Sequence, residues 1–350
     1  MNEDNTNKIL NWLKKRKRLL IGITTIILII FMVYVVDFPS LIQKIITVGI
    51  IGLILFILTY ACAFLLRAYK MKLIFKGLDH KVKYTNCLFS TGASFIINDL
   101  TPGKLGDVAK IFIIRDHESI GLGESTAGIA VERILDLILL FFISCFALIY
   151  LYLSNIGDVS SREFLGLNMQ YYLLFGAIII IGILLAIFLL LYKTDPILKI
   201  ITKISPTIAN YLGRFVINFK RGIKKLKENK RKLIYVILLG FPVWIVDGFV
   251  IVIIFYALGF QLDIIVLILA ILLTFFSKII PFTPGGWVIS EPFGALFTYF
   301  FYPLFPGGFY EILSLFIIDH IFRSAFLLFF GGYSVFRYNF KLKELEQINT

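Results

Sequence analysis

Two apolar stretches of this chain carry charges that a membrane interior resists. The run from about 125 to 153 contains Glu132, Arg133 and Asp136, and the run from 311 to 334 contains Asp319, His320 and Arg323. Ionisable groups at bilayer depth are costly, so they pair with one another and face a polar interior. On a helix, Glu132 and Asp136 fall on one face a turn apart, with Arg133 in reach of Asp136. Asp319 and Arg323 are four residues apart and pair in the same way. One role for these groups is a set of salt bridges that fixes helix register. Another is a polar lining that binds a charged headgroup or relays protons, and the two roles are compatible. Arginine suits phosphate because its planar fork donates two parallel hydrogen bonds.

A tripeptide recurs beside these stretches. Thr101-Pro102-Gly103 returns as Thr283-Pro284-Gly285, 182 positions later, and Gly77 and Gly259 keep the same displacement. Proline cannot donate its amide to a helix and pushes the residue before it out of helical geometry. Glycine permits a tight turn. The apolar segments at about 84–100 and 264–280 must therefore break at Pro102 and Pro284, with Gly106, Pro281 and Gly286 reinforcing the breaks. A helix restarting after each turn presents free amides and a positive dipole end, which suits phosphate. Lys104 and Lys278 lie close to the breaks, and a carboxylate follows each of them, Asp107 and then Glu291. Asn98 and Asp99 stand before the first turn as capping groups or headgroup contacts. Asp247 needs a partner, with Lys278 and Arg323 as candidates. Trp287 reads as an interfacial anchor or a packing group.

The elements that position these residues are apolar helices. Of 350 residues, 59% are hydrophobic and 16% charged, which describes a polytopic membrane protein and no soluble surface. Six transmembrane helices are expected: Leu19 to Val36, then 45–66, 125–153, 171–192, 233–257 and 311–334. The 84–100 and 264–280 segments are read as re-entrant hairpins. If both re-enter, 30 of the 35 lysines and arginines fall on the side of the termini, as the positive-inside rule requires of the cytoplasm. Full spanning by the first hairpin would move the 12 basic residues of 193–232 outside. The expected fold is therefore all-α, one membrane domain over 1–350, with inverted-topology repeats at about 45–153 and 233–334. Duplicated, Pro/Gly-broken apolar segments mark transporters whose substrate lies between two repeats.

The 193–232 stretch reads as a basic cytoplasmic linker. Within 207–228, apolar residues at helical spacing alternate with lysine and arginine, as in an amphipathic helix on an anionic lipid surface. The net charge of +13 flanks apolar segments, so lipid is expected as the partner and nucleic acid is not. Cys62, Cys87 and Cys145 have no CxxC spacing, and His80, His117 and His320 form no ligand pattern, so no metal or cofactor is expected.

The block from Asn98 to Asp107, followed by Val131-Glu132-Arg133-Ile134-Leu135-Asp136, resembles a known family. So does Ile280 to Trp287 followed by Glu291. The family is the membrane region of lysylphosphatidylglycerol synthases, the multiple peptide resistance factors, with its stand-alone bacterial and archaeal relatives. The resemblance runs from the first helix to the sixth. It implies lipid handling, since in the synthases this region is assigned to moving the aminoacylated lipid across the bilayer. About 16 residues follow the sixth helix here, so no aminoacyltransferase domain is expected. Some archaeal glycosyltransferases carry a similar region, which makes a polyprenyl-linked sugar an alternative cargo.

The expected function is a flippase-like lipid translocator in the plasma membrane, with both termini cytoplasmic. A non-catalytic membrane partner of a glycosyltransferase or lipid synthase is the alternative. A membrane enzyme would carry a metal-binding Asp cluster, a phosphatase signature or GxSxG, and the chain has none of these motifs. A carrier of a small soluble anion would need the same charges as a lipid carrier.

Overall fold

The structure, a computed structural model, describes residues 37–101, 105–153, 193–204, 206–228, 230–278 and 283–338. It also describes 163–164, 167–168 and single positions between 178 and 192. The expected first helix, most of the 171–192 span, and Pro102, Gly103, Lys104 and Pro281 lie outside the described residues. The described chain is helical apart from a two-residue antiparallel ladder, Glu163–Phe164 (β1) with Leu167–Asn168 (β2).

The first helix, α1 (Phe38–Gly77), begins under an Asp37 cap whose carboxylate accepts from the Ser40 amide at 3.4 Å. It is broken at Gly49, where φ is 66°. An L side chain rarely adopts that angle, so glycine is what allows the break. α1 does not stop where the basic stretch starts at Arg67. It continues through Arg67 and Lys70, which are buried. Its partner is α7 (Lys230–Ala257), in the most extensive helix pairing of the molecule. Gly52 permits the contact, since a Cβ there would meet that of Ala257 at 3.2 Å.

α1 and α7 end alike. His80 N–H donates to Phe75 O at 2.9 Å, and Phe260 N–H to Phe255 O at 2.9 Å. Asp79 and Gly259 take the left-handed conformation, with φ of 67° and 85°. Each is a helix stop in which a left-handed residue lets the last carbonyls be satisfied. Asp79, not Gly77, therefore occupies the place of Gly259. Matched positions here lie 180 apart, against 182 for the Thr-Pro-Gly turns, so the second segment holds two extra residues between stop and turn.

Each of these helices leads into a short hairpin. α2 (Tyr84–Leu100) packs on α3 (Leu105–Glu118), and α8 (Ile264–Ser277) packs on α9 (Ser290–Phe301). Helices of 17, 14, 14 and 12 residues reach about 18–26 Å, less than the roughly 30 Å hydrocarbon core. Gly106 brings α3 onto α2, because a Cβ there would lie 1.9 Å from Ser94 O. The hairpins meet at their tips. A Cβ on Gly285 (φ 62°) would stand 2.6 Å from Asp99 Oδ1. That glycine serves both the turn and the close approach.

Two long helices complete the bundle, α4 (Leu122–Leu153) after the first hairpin and α10 (Gly308–Arg337) after the second. α10 packs on α2, and α4 packs on α8. Among the described residues α1, α7 and α10 are long and apolar enough to cross a membrane. One apolar core joins α1, α7, α8 and α10 through Phe64, Phe255, Leu267 and Phe316. A second joins α1, α2, α4 and the basic helix α6 (Pro206–Glu228) through Phe75, Cys87, Val131 and Leu226.

The linker forms α5 (Thr194–Ile204) and α6 (Pro206–Glu228). The apolar face of α6 does not lie free for a lipid surface. Ala209, Val216, Phe219 and Leu226 are buried. A Cβ on Gly222 would meet Val131 Cγ2 at 2.8 Å, so that face is laid against α4. Arg214, Lys220, Arg221, Lys224 and Lys225 stay exposed on the other side.

Candidate functional site

The hairpin tips wall a cavity of about 390 Å³ between the two halves of the bundle. Asn98, Asp99 and Thr101 come from the first tip, and Thr283, Gly285 and Gly286 from the second. Lys278 follows α8, while Asp107 belongs to α3. Arg133 and Asp136 project from α4, and His320 and Arg323 from α10. Phe95, Leu137, Leu140, Ile271, Phe275 and Leu327 give the rest of the wall an apolar character, and Tyr60, Trp244 and Thr274 close it. Of the residues singled out in the sequence, Glu132, Glu291 and Asp319 are buried just behind this wall, and Gly106 and Pro284 shape its backbone without lining it.

The charges on the first side are paired one to one. Arg133 Nη2 donates to Asp107 at 2.6 Å, and Ser94 Oγ donates to the same carboxylate at 3.1 Å. Arg133 thus pairs with Asp107 of the neighbouring hairpin and not with Asp136 on its own helix. Asp136 instead pairs with Lys70 of α1 and accepts from Trp244 Nε1 at 3.2 Å. Glu132 accepts two bonds of 2.9 Å from Lys110. Both lysines are fully buried. Each had counted as a solvent-facing basic residue in the sequence, but a buried carboxylate requires such a partner.

Arginines are shared on the second side. Arg323 Nε donates to Asp319 at 2.8 Å, so the four-residue spacing does make a pair. Its Nη1 and Nη2 donate to the Asp247 carboxylate at 3.1 Å and to the Asp247 carbonyl at 2.9 Å. Arg67 of α1 adds a second contact to that carboxylate at 3.2 Å. Asp247 therefore ties α7 to α1 and α10, and Lys278 is not its partner. His320 Nδ1 is bonded to Glu291, and its Nε2 lies 3.6 Å from Asp99. Ser290 Oγ donates to Glu291 at 3.0 Å. Trp287 stacks on the His320 ring at 4.0 Å between centroids, so it packs inside the bundle and is no interfacial anchor.

Lys278 is different. It lines the cavity and forms no ion pair among the described residues; its ammonium sits 5.7 Å from the Phe275 ring. A Cβ on Gly286 would meet its Cγ at 2.5 Å, so the second turn holds the lysine stem in place. The helix starts are less open than their sequence suggests. Asn98 Oδ1 already accepts from the Gly106 amide at 2.8 Å, which makes Asn98 a cap, and Glu291 occupies the first turn of α9. Among the described residues no group of three or more His, Cys, Asp or Glu could hold a metal.

His320, which the sequence places beside Asp319 and Arg323, belongs to this constellation, and Arg67, Lys70, Lys110, Tyr60 and Trp244 complete it without having been singled out in the sequence. One signal was available for the lysines. Glu132 and Asp136 need cations, and Arg67 and Lys70 continue the Tyr60, Ala63 and Phe64 face of α1 at helical spacing. Nothing local marks Lys110 or Trp244.

A family model described as the lysylphosphatidylglycerol synthase TM region matches residues 18–331. UPF0104 membrane protein MJ1078 of Methanocaldococcus jannaschii is 32% identical over 201 residues, 56% of this chain and 75% of that protein. UPF0104 membrane protein MJ1595 of the same organism is 24% identical over 249 residues, 67% of this chain and 70% of that protein. Glycosyltransferase AglD of Haloferax volcanii is 23% identical over 306 residues, 81% of this chain and 48% of that enzyme. No solved structure matches the chain.

Proposed function

The chain belongs to the lysylphosphatidylglycerol synthase TM region family, and on that ground we propose that it moves an anionic or phosphate-linked lipid through the groove between the hairpin tips. It is a multi-pass membrane protein. One observation carries the reading. A single cavity combines Lys278, which forms no ion pair among the described residues, with the forks of Arg133 and Arg323 and a long apolar wall. A phosphate would pair with Lys278 and accept from the arginines, while acyl or prenyl chains would rest against Leu137, Leu140 and Leu327. Asn98, Asp99, Thr101, Asp107 and Asp136 would frame the headgroup. Pro102, Gly103 and Lys104, outside the described residues, would contribute to the headgroup site together with the turn of Pro284, Gly285 and Gly286. Glu132, Glu291 and Asp319 would hold the liganding groups in place, and the protein would act as a carrier and not as an enzyme.

The same proposal places the chain in the plasma membrane with both termini cytoplasmic. Six helices would span, and the two hairpins would enter from opposite faces as parts of inverted repeats at about 45–153 and 233–334. The matched helix stops, the short hairpin helices and their meeting tips support this arrangement. So does the basic character of 193–232, whose exposed lysines and arginines on α6 would lie toward anionic headgroups. Reagents that label cysteine from one side should reach Lys104→Cys and Gly286→Cys from opposite faces. Access to both from one face alone overturns the topology.

The direct test is a proteoliposome assay with fluorescent phosphatidylglycerol. Protein-dependent movement across the bilayer that is lost in Lys278→Gln supports the carrier. No movement of either a phosphatidylglycerol or a polyprenyl-phosphate probe counts against it. A second reading is favoured by one finding. A relative named as a glycosyltransferase is matched over 48% of its length, so this kind of region occurs beside an enzyme. On that reading the chain anchors or assists a glycosyltransferase or lipid synthase. Recovery of such an enzyme with the purified protein, together with a failed transport assay, would favour it.

A further inference from the structure

His320 sits where the two hairpins meet and is held by a carboxylate from each. Its Nδ1 is bonded to Glu291 of the second hairpin, and its Nε2 faces Asp99 of the first at 3.6 Å. The ring is 3% exposed and stacks on Trp287 at an interplanar angle of 15°. A neutral imidazole has one N–H, so it can donate to only one of these carboxylates while the other meets a lone pair. The imidazolium turns an N–H toward both, bonding Glu291 and facing Asp99 at ion-pair distance. A single proton therefore decides whether both hairpins are tied to α10 or only one.

We infer that His320 is a proton site coupled to the headgroup site, so that protein carrying this proton binds a phosphate anion more tightly. The inference deepens the proposed lipid site and rests on that reading for its ligand. Asp99 and Lys278 share one cavity wall with His320. A phosphate arriving at Lys278 brings negative charge beside Asp99 and Glu291, and an imidazolium between them offsets it. The other charges on the neighbouring elements are already engaged: Arg323 with Asp319 on α10 itself, and with Asp247 on α7. An imidazole can hold one proton or two, and only the second makes it a cation. Because coupling between two sites is reciprocal, phosphate binding must also favour proton uptake.

The experiment has two readouts on purified full-length protein. In the first, tryptophan fluorescence is followed against pH, with Trp287→Phe as the background. An imidazolium quenches a stacked indole more strongly than neutral imidazole does, so a Trp287-dependent quench should grow on acidification and vanish in His320→Gln. This readout needs no lipid. In the second, affinity for dihexanoylphosphatidylglycerol is measured at pH 6 and pH 9, with inorganic phosphate as a parallel probe. The wild type should bind the lipid at least about fivefold more tightly at pH 6, within the usual range of coupling between sites. His320→Gln should bind equally at both. His320→Arg keeps a cation between the two carboxylates and guards against a folding artefact; its affinity should stay tight at both pH values.

The inference is overturned if the quench is absent in the wild type, or if His320→Gln or His320→Arg keeps the wild-type pH dependence. pH-dependent binding of inorganic phosphate without lipid binding upholds the proton site and overturns the lipid reading. A quench that depends on His320, with an equal lipid affinity at both pH values, keeps a titrating histidine but overturns the coupling.

Discussion

After each hairpin turn a carboxylate pairs with a basic group on the long helix that follows, but the two pairs differ in kind. Asp107 of α3 meets Arg133 of α4 at 2.6 Å. Glu291 of α9 meets His320 of α10. A guanidinium stays charged at every physiological pH, so the first pair is permanent. An imidazole is a cation only when it carries two protons, so the charge of the second pair depends on its protonation. The surroundings follow the same division. On the first side Asp136 and Glu132 each have their own cation, Lys70 and Lys110. The second side shares Arg323 between two aspartates and leaves Lys278 without an ion pair among the described residues. The first side has the character of a balanced frame, and on the proposed function the second would take the ligand and the proton.

The comparison can be broken most forcefully at Arg323. Arg323→Ala leaves Asp319 without its partner and Asp247 with only Arg67. Stranding a buried charge costs roughly 3–5 kcal/mol in soluble proteins. The expected outcome is a large fall in thermal stability in detergent, read by unfolding fluorescence, together with loss of lipid movement. Near-wild-type stability would show that the second side does not depend on its shared arginine.

Lys278→Gln should separate ligand from frame. No carboxylate is stranded, so melting should change little. Lipid movement in liposomes should slow by about tenfold or more, the equivalent of about 1.4 kcal/mol. A large drop in melting temperature with normal transport would make Lys278 a structural residue.

Arg133→Lys tests the permanent pair more gently. It keeps the charge on Asp107 but loses the fork. A loss of a few-fold in transport with a normal melting temperature is expected, smaller than that of Lys278→Gln. Wild-type transport would remove Arg133 as a two-bond phosphate grip and leave it purely in the frame.

The smallest effect belongs to the exposed face of α6. Lys224→Gln should alter stability by no more than about 0.5 kcal/mol, as for surface positions away from special features. Leu226→Ala, on the buried face under Gly77, should cost more, roughly 2–5 kcal/mol. Parity between the two would mean that α6 is not seated on α1 and α4.

Much of this was legible from local rules. The Thr-Pro-Gly recurrence marked the two turns because proline and glycine act on the backbone whatever surrounds them. The Asp319–Arg323 pair was readable because four residues make one helical turn. Arg323 was also legible as a partner of Asp247, but the acid partner of Arg133, the cations of Asp136 and Glu132, and Arg67 as the second cation of Asp247 were not. Each comes from another helix, 22 to 180 positions away. Gly77 and Gly259 share the sequence displacement of the turns, yet Asp79 holds the equivalent helix stop, since a left-handed residue is recognised by its angle and not by its type.

What the sequence alone determined is the class of environment. Its apolar runs, broken at proline and glycine and flanked by lysine and arginine, require a membrane-embedded helical bundle whose buried charges find partners. Which charges became partners was decided by tertiary packing. Helix periodicity places residues on a face but does not say which helix lies opposite. Only the approach of α1 to α7 and to α4 turned Arg67 and Lys70 from an apparent cytoplasmic flank into core ion pairs, with Asp247 and Asp136. The meeting of the two hairpin tips put His320 between two carboxylates and left Lys278 facing the cavity.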